Sequence, residues 1–153
     1  MSGPAAASAP RVALACLWVA ALVVALCTVE AYFWKLDPEG YPLLLPADRS
    51  AVYPTVVAIY SGTIGPILLA LFFKPFRRTL KPDHGRKLAR LSIALTLIYN
   101  LVVVYLLAQG LWQQSLTIDA IVDQAKLAAI LLGFLVVPVN AFYFGLRPAS
   151  ADG

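Results

Sequence analysis

Histidine, cysteine and paired acids are all scarce in this chain, and each scarcity closes off a class of chemistry. His84 is the only histidine. A bis-histidine haem is therefore impossible, and a histidine-built metal site has no ligand set to draw on. The two cysteines, Cys16 and Cys27, fall inside the first apolar run, where they read as small hydrophobes and not as a disulfide framework. Neither suits a lipoprotein acceptor: Cys27 follows Leu26 where a small residue is expected, and Cys16 has almost no leader before it. No GxSxG, HExxH, Walker loop or GxGxxG occurs, so the signatures of hydrolases, metalloproteases and nucleotide-binding folds are missing. Asp119 and Asp123 lie one turn apart and read as solvated acids. The expectation is a protein that is not an enzyme and holds no metal or cofactor.

Charge is scarce too. Of 153 residues 13% are charged and 61% hydrophobic, against about 25% and roughly 45–50% in soluble domains. The excess gathers into four runs, which makes lipid the expected solvent. The net charge of +4 is local. Seven of the twelve Lys and Arg are Lys74, Arg77, Arg78, Lys81, Arg86, Lys87 and Arg90, and the rest of the chain is slightly acidic. A single basic segment between apolar runs points to membrane orientation and anionic lipid or partner contact, not nucleic acid.

The runs predict an all-α integral membrane four-helix bundle. Residues 1–10 form a small, turn-rich tail, and helices are expected at about 12–34, 52–73, 88–112 and 117–146. The single domain covers 11–148, and 149–153 form a short polar tail. Helix one is near the ~20 residues that cross a ~30 Å hydrocarbon core, and helix four is expected to start before the membrane and lead into the apolar run Leu127–Leu146. Arg11 followed by apolar residues also fits a signal peptide with Val29-Glu30-Ala31 as cleavage site. The run of 23 residues exceeds the roughly 7–15 of a signal core, so a retained helix is the main expectation. Helix one ends in Tyr32, Phe33, Trp34 and Lys35, an interfacial aromatic belt followed by a charge. Tyr41, Leu43, Leu44 and Leu45 are too apolar for a free loop and should lie on the bilayer or fold back over the helices. Pro66 and Pro138 fall mid-helix, where each removes a backbone donor. Thr117 is the expected N-cap of helix four, with Asp119 at the positive helix end.

Charge asymmetry orients the helices. Lys35 and loop 36–51 carry two basic and three acidic groups, segment 113–126 one and two, and segment 74–90 seven and one. By the positive-inside rule this predicts two helical hairpins joined by a basic cytoplasmic loop, with both termini cytoplasmic, in a cell inner (plasma) membrane. An internal repeat accompanies the hairpins. Ala58-Ile59-x-x-Gly62 before Pro66 parallels Ala129-Ile130-x-x-Gly133 before Pro138, as expected for halves related by an axis along the membrane normal.

Polar groups within hydrocarbon are expensive and mark candidate sites. Glu30 and Lys126 lie roughly 10 and 13 Å outward of the centres of their helices, at ~1.5 Å per residue. In a sequential bundle helices one and four are neighbours, so a Glu30–Lys126 pair is expected, as a clamp or as an ion-binding site. Ser92, Thr96 and Asn100 form a polar line on helix three, and Asn140 lies on helix four. Thr63, Asn100 and Asn140 are candidates either for interhelical hydrogen bonds or for lining a polar cavity. Ala13, Cys16, Ala20, Val24, Cys27 and Ala31 make a small-residue stripe on helix one, expected to serve close helix packing.

Two functions follow as expectations. One is a small polytopic accessory subunit, assembly factor or scaffold acting through helix packing, with a membrane-protein partner or copies of itself. The other is a small transporter or flippase-like protein using Glu30, Lys126 and a polar interior. The layout resembles the GtrA-like four-helix family of polyprenyl-linked sugar translocation proteins. The likeness lies in length, four spans, a basic middle loop, and Ala125-Lys126-Leu127 with Asn140 and aromatics after it. The chain departs from that pattern in the spacing of Lys126 to Asn140, in lacking a basic pair straight after Asn140, and in the end of helix two. The resemblance implies lipid-linked transport and belongs with the second expectation.

Overall fold

The computed structural model describes residues 9–72, 78–79, 82–113 and 116–147, and within them the side chains of 10–65, 84–113 and 116–144. It is built from four helices: α1 (Ala9–Trp34), α2 (Arg49–Phe72), α3 (Pro82–Ala108) and α4 (Ile118–Gly145). Two-residue segments β1 (Arg78–Thr79) and β2 (Leu146–Arg147) pair in parallel after α2 and α4. Among the described residues three helices are long and apolar enough to cross a membrane: Pro10–Trp34, His84–Leu111 and Ile118–Phe144. Only 28–33% of each apolar window is buried within the chain. Leu101, Leu131 and Phe134 stay largely exposed, so these faces call for an apolar solvent and not water.

Spacing decides which faces turn inward. In α1 the buried positions are Leu14, Trp18, Ala21, Ala25, Val29 and Tyr32, and in α3 Ser92, Thr96, Tyr99, Asn100, Val103 and Leu107. Apart from Asn100 beside Tyr99, both sets advance by three or four residues, the period of a helix seam. The small-residue stripe of α1 is not this seam. Ala13, Cys16, Ala20, Val24 and Cys27 are exposed, because they lie on the helix face opposite Leu14, Trp18 and Ala25. The close packing expected of them is therefore not made with the other helices of this chain.

The helices pack as α1 on α2 and α3, and α4 on α2 and α3. α1 and α4 are therefore diagonal, touching through Arg11, whose guanidinium lies 5.8 Å from the Tyr143 ring centroid. The contacts also give direction. The C-terminal end of α1 meets the start of α2 and the end of α3, while the start of α3 meets the end of α4. Neighbours in sequence are antiparallel, and α2 and α4 run side by side in the same direction.

The connections are locally built. After α1, Asp37 Oδ1 accepts the backbone N–H groups of Glu39 (2.9 Å) and Tyr41 (2.8 Å), an Asx turn. Gly40 at φ +88° supplies the left-handed residue there. The loop then folds back: Leu44 is fully buried and Leu43 half-buried, while Tyr41 and Leu45 remain exposed. Burial of one leucine contributes roughly 1.5–3 kcal/mol. α3 begins at Pro82, about two turns before the expected boundary, because Pro at the start costs no hydrogen bond. Arg86, Lys87 and Arg90 accordingly sit on a helix and not in a loop, with exposed side chains. Thr117 Oγ1 accepts the Ala120 N–H at 3.4 Å, the expected cap of α4. Gly110 sits beneath Tyr32 and Ile121, and a Cβ there would lie 2.8 Å from the Tyr32 hydroxyl. That hydroxyl donates to the Leu107 carbonyl, tying α1 to α3.

Candidate functional site

The first candidate lies where α1 ends and α2 begins. Arg49 Nη2 donates to Glu30 Oε1 at 3.2 Å, and the Tyr53 hydroxyl donates to Glu30 Oε2. The Arg49 guanidinium also stacks 3.7 Å from the Phe33 ring centroid. One carboxylate is thus held by a cation and a phenol from the next helix. The expected Glu30–Lys126 pair does not form within the chain. The two residues are at one level, since Lys126 shares a groove with Pro54 and Thr55 while Glu30 meets Tyr53. They are nevertheless on diagonal helices, and α3 stands beside α1 where α4 was expected. The partner Arg49 was missed because it read as a loop charge. The helix begins at Arg49 itself, which puts its first turn against Glu30 near the end of α1. The Arg49 and Glu30 side chains are 49% and 42% exposed, so as an ion pair they contribute at most about 1 kcal/mol.

The second candidate is the polar seam between α3 and α4. Asn140 accepts a hydrogen bond from Ser92 Oγ, and its Nδ2 donates to Thr96 Oγ1 at 3.1 Å. All three side chains are buried. Asn100 lies one turn further along α3, and its Nδ2 donates to the Thr96 carbonyl at 2.8 Å. Its buried Oδ1 has no protein partner. Thr63 on α2 bonds back to the Tyr60 carbonyl at 2.8 Å. The structure joins Asn140 to Ser92 and Thr96. It does not gather Thr63, Asn100 and Asn140 around one cavity.

Between these levels Trp18, Tyr60 and Tyr99 from three helices form one aromatic cluster, with ring centroids 5.1–6.4 Å apart. The Tyr99 hydroxyl donates to the Ile59 carbonyl at 3.0 Å, bridging α3 to α2. Composition pointed to aromatic ends of helices, but nothing in the spacing marked this central trio.

The third candidate is a groove of about 560 Å³ between α2 and α4, with Tyr99 at its floor. Its walls are Ala58, Ile59 and Gly62 of α2 against Ala129, Ile130 and Gly133 of α4. A Cβ added at Gly62 or Gly133 would meet nothing within 4 Å. Lys126 stands at one end of the groove, and among the described residues no carboxylate lies within ion-pair distance of it. Chemically this is an apolar channel with one cation at its rim. Thr63 also lines it, while Glu30, Asn100 and Asn140 do not.

Among the basic candidates, Arg86, Lys87 and Arg90 are exposed on the first turns of α3. Lys74, Arg77 and Lys81, and the side chain of Arg78, lie outside the described residues. Among the described residues no three His, Cys, Asp or Glu side chains are grouped to hold a metal ion. The chain matches no known protein family, and neither a curated protein nor a solved structure matches it.

Proposed function

We propose that this chain is an integral four-helix bundle of the inner (plasma) membrane that acts through helix packing, as an accessory subunit, assembly factor or scaffold. It works without catalytic residues or cofactor. Its two hairpins are joined by the basic segment 74–90, which lies on the cytoplasmic side with both termini. The observation that carries the packing role is how the polar side chains are spent. Glu30 is engaged by Arg49 and Tyr53, Asn140 by Ser92 and Thr96, and Tyr99 by a backbone carbonyl. Each of these bonds joins two helices, and none leaves a charged group free in the interior. Such bonds lock membrane helices together, whereas a carrier needs groups that exchange partners. The exposed Arg86, Lys87 and Arg90 favour contact of the cytoplasmic face with anionic lipid or a partner.

One observation favours the transporter or flippase-like alternative: the α2/α4 groove, with Lys126 at its rim and Pro66 and Pro138 in the helices that form it. Glu30→Gln separates the two. Under the packing reading the variant loses its hold on Arg49, and its level in the membrane falls or its function stays normal. A carrier would instead keep its membrane level and lose pH-dependent transport, which would sink the packing reading.

A further inference from the structure

The two faces this chain leaves without an internal partner complement one another, and we propose that a second copy seats its α1 in the α2/α4 groove. One face is the groove itself. Gly62 and Gly133 each weaken their helix relative to alanine, and no internal contact uses their missing Cβ atoms. An acyl chain packs equally well on Leu or Val, but a helix backbone gains close approach from glycine. The other face is the outward stripe of α1: Ala13, Cys16, Ala20 and Cys27, all exposed.

Their heights agree. Glu30 meets Tyr53, and α1 runs antiparallel to α2. Ten residues inward, ~15 Å, Ala20 of α1 is level with Thr63, beside Gly62. In one membrane every copy shares that orientation, so an incoming α1 brings Ala20 to the level of the two glycines.

The charges agree as well. Lys126 would be costly to cover unless the occupant brought an anion. Glu30 stands at the same level, 42% exposed in its side chain. Each carboxylate oxygen already accepts one bond and has a lone pair left for a second cation. The Glu30–Lys126 pair that the diagonal arrangement forbids within the chain is thereby available between chains. The stripe of α1 points away from α3, and the groove lies on the far side of α2. The contact is therefore heterologous and generates a ring or an open series, not a closed pair.

The proposal uses the membrane orientation given above but not the choice between scaffold and carrier, so its failure leaves the Glu30→Gln result intact. The full chain with Cys16→Ala and Ala58→Cys is oxidised with copper phenanthroline in native membranes. Cys27 lies at about the height of Val56, ~3 Å from that of Ala58. The expected result is a ladder of disulfide-linked species at multiples of the chain mass, abolished by adding Cys27→Ala. Lys126→Ala, at an exposed position, should lower the yield roughly ten-fold at low expression, and Lys126→Arg should retain it. The absence of a ladder overturns the proposal. So does a ladder that persists without Cys27, linkage only to proteins of other mass, or an unchanged yield in Lys126→Ala.

Discussion

Replacing Asn140 by alanine removes the side chain that joins α4 to α3 through Ser92 and Thr96. Hydrogen bonds between membrane helices average about 0.6 kcal/mol and reach about 1.7, so two contribute roughly 1–3 kcal/mol. Asn140 is 3% exposed, and truncation leaves a cavity that adds about 1 kcal/mol. The expected loss is therefore roughly 2–4 kcal/mol. Asn100 is the internal control. It is also buried, yet its amide bonds only to its own helix and its Oδ1 has no protein partner. Asn100→Leu should lie within about 1 kcal/mol of the parent or be more stable, because an unsatisfied buried acceptor costs about 1–3 kcal/mol. Reversible unfolding in bicelles by steric trapping measures both variants. A double-mutant cycle of Asn140→Ala with Ser92→Ala should return a coupling of about 1 kcal/mol. A neutral Asn140→Ala beside a strongly destabilised Asn100→Leu would refute the assignment of the seam.

Other consequences are open to simpler tests. Arg49→Ala should reduce thermal stability in detergent by about 1 kcal/mol, through loss of both the Glu30 bridge and the Phe33 stacking, and high salt should shrink the difference. Gly110→Ala places a methyl group against Tyr32 and Ile121. It should destabilise by roughly 1–3 kcal/mol in the same melt, with part regained on adding Ile121→Val, which removes the Cδ1 nearest the new methyl. In a chain lacking native cysteines, Glu39→Cys should react with an impermeant maleimide in intact cells, and Thr79→Cys only after permeabilisation. Replacing Arg77, Arg78 and Lys81 together, with the other basic residues kept, should preserve that labelling pattern and weaken binding to anionic vesicles.

The sequence was legible where one residue type reports its surroundings directly. Apolar runs of spanning length mark α1, α3 and α4, and Thr117 marks the start of α4 because a cap is a local bond. The polar pattern of α3 also held: the four-residue spacing of Ser92 and Thr96 puts both on the face that meets Asn140. What was not legible is the lateral order of the helices. Spacing gives the height of Glu30 and Lys126 but not which helix stands beside which, and four helices can close in either order. The stripe of α1 was legible only as a packing face, for a related reason. Small residues mark a face suited to close approach without saying whether the approaching helix belongs to the same chain. Arg49 was hidden because it counted as a charge of loop 36–51, whereas the helix begins at Arg49 itself.

Accessibility of the interior tests the central claim, that Ser92, Thr96, Asn140 and Tyr99 are spent on bonds between helices. Thr96 is fully buried, and Thr96→Cys is a small change at the heart of the seam. In a chain with Cys16→Ala and Cys27→Ala, an impermeant methanethiosulfonate reagent is applied to each side of native membranes in turn. The packed interior predicts no labelling from either side until the protein is unfolded. Labelling of the folded protein from one or both sides would reveal a water-filled path and contradict the account.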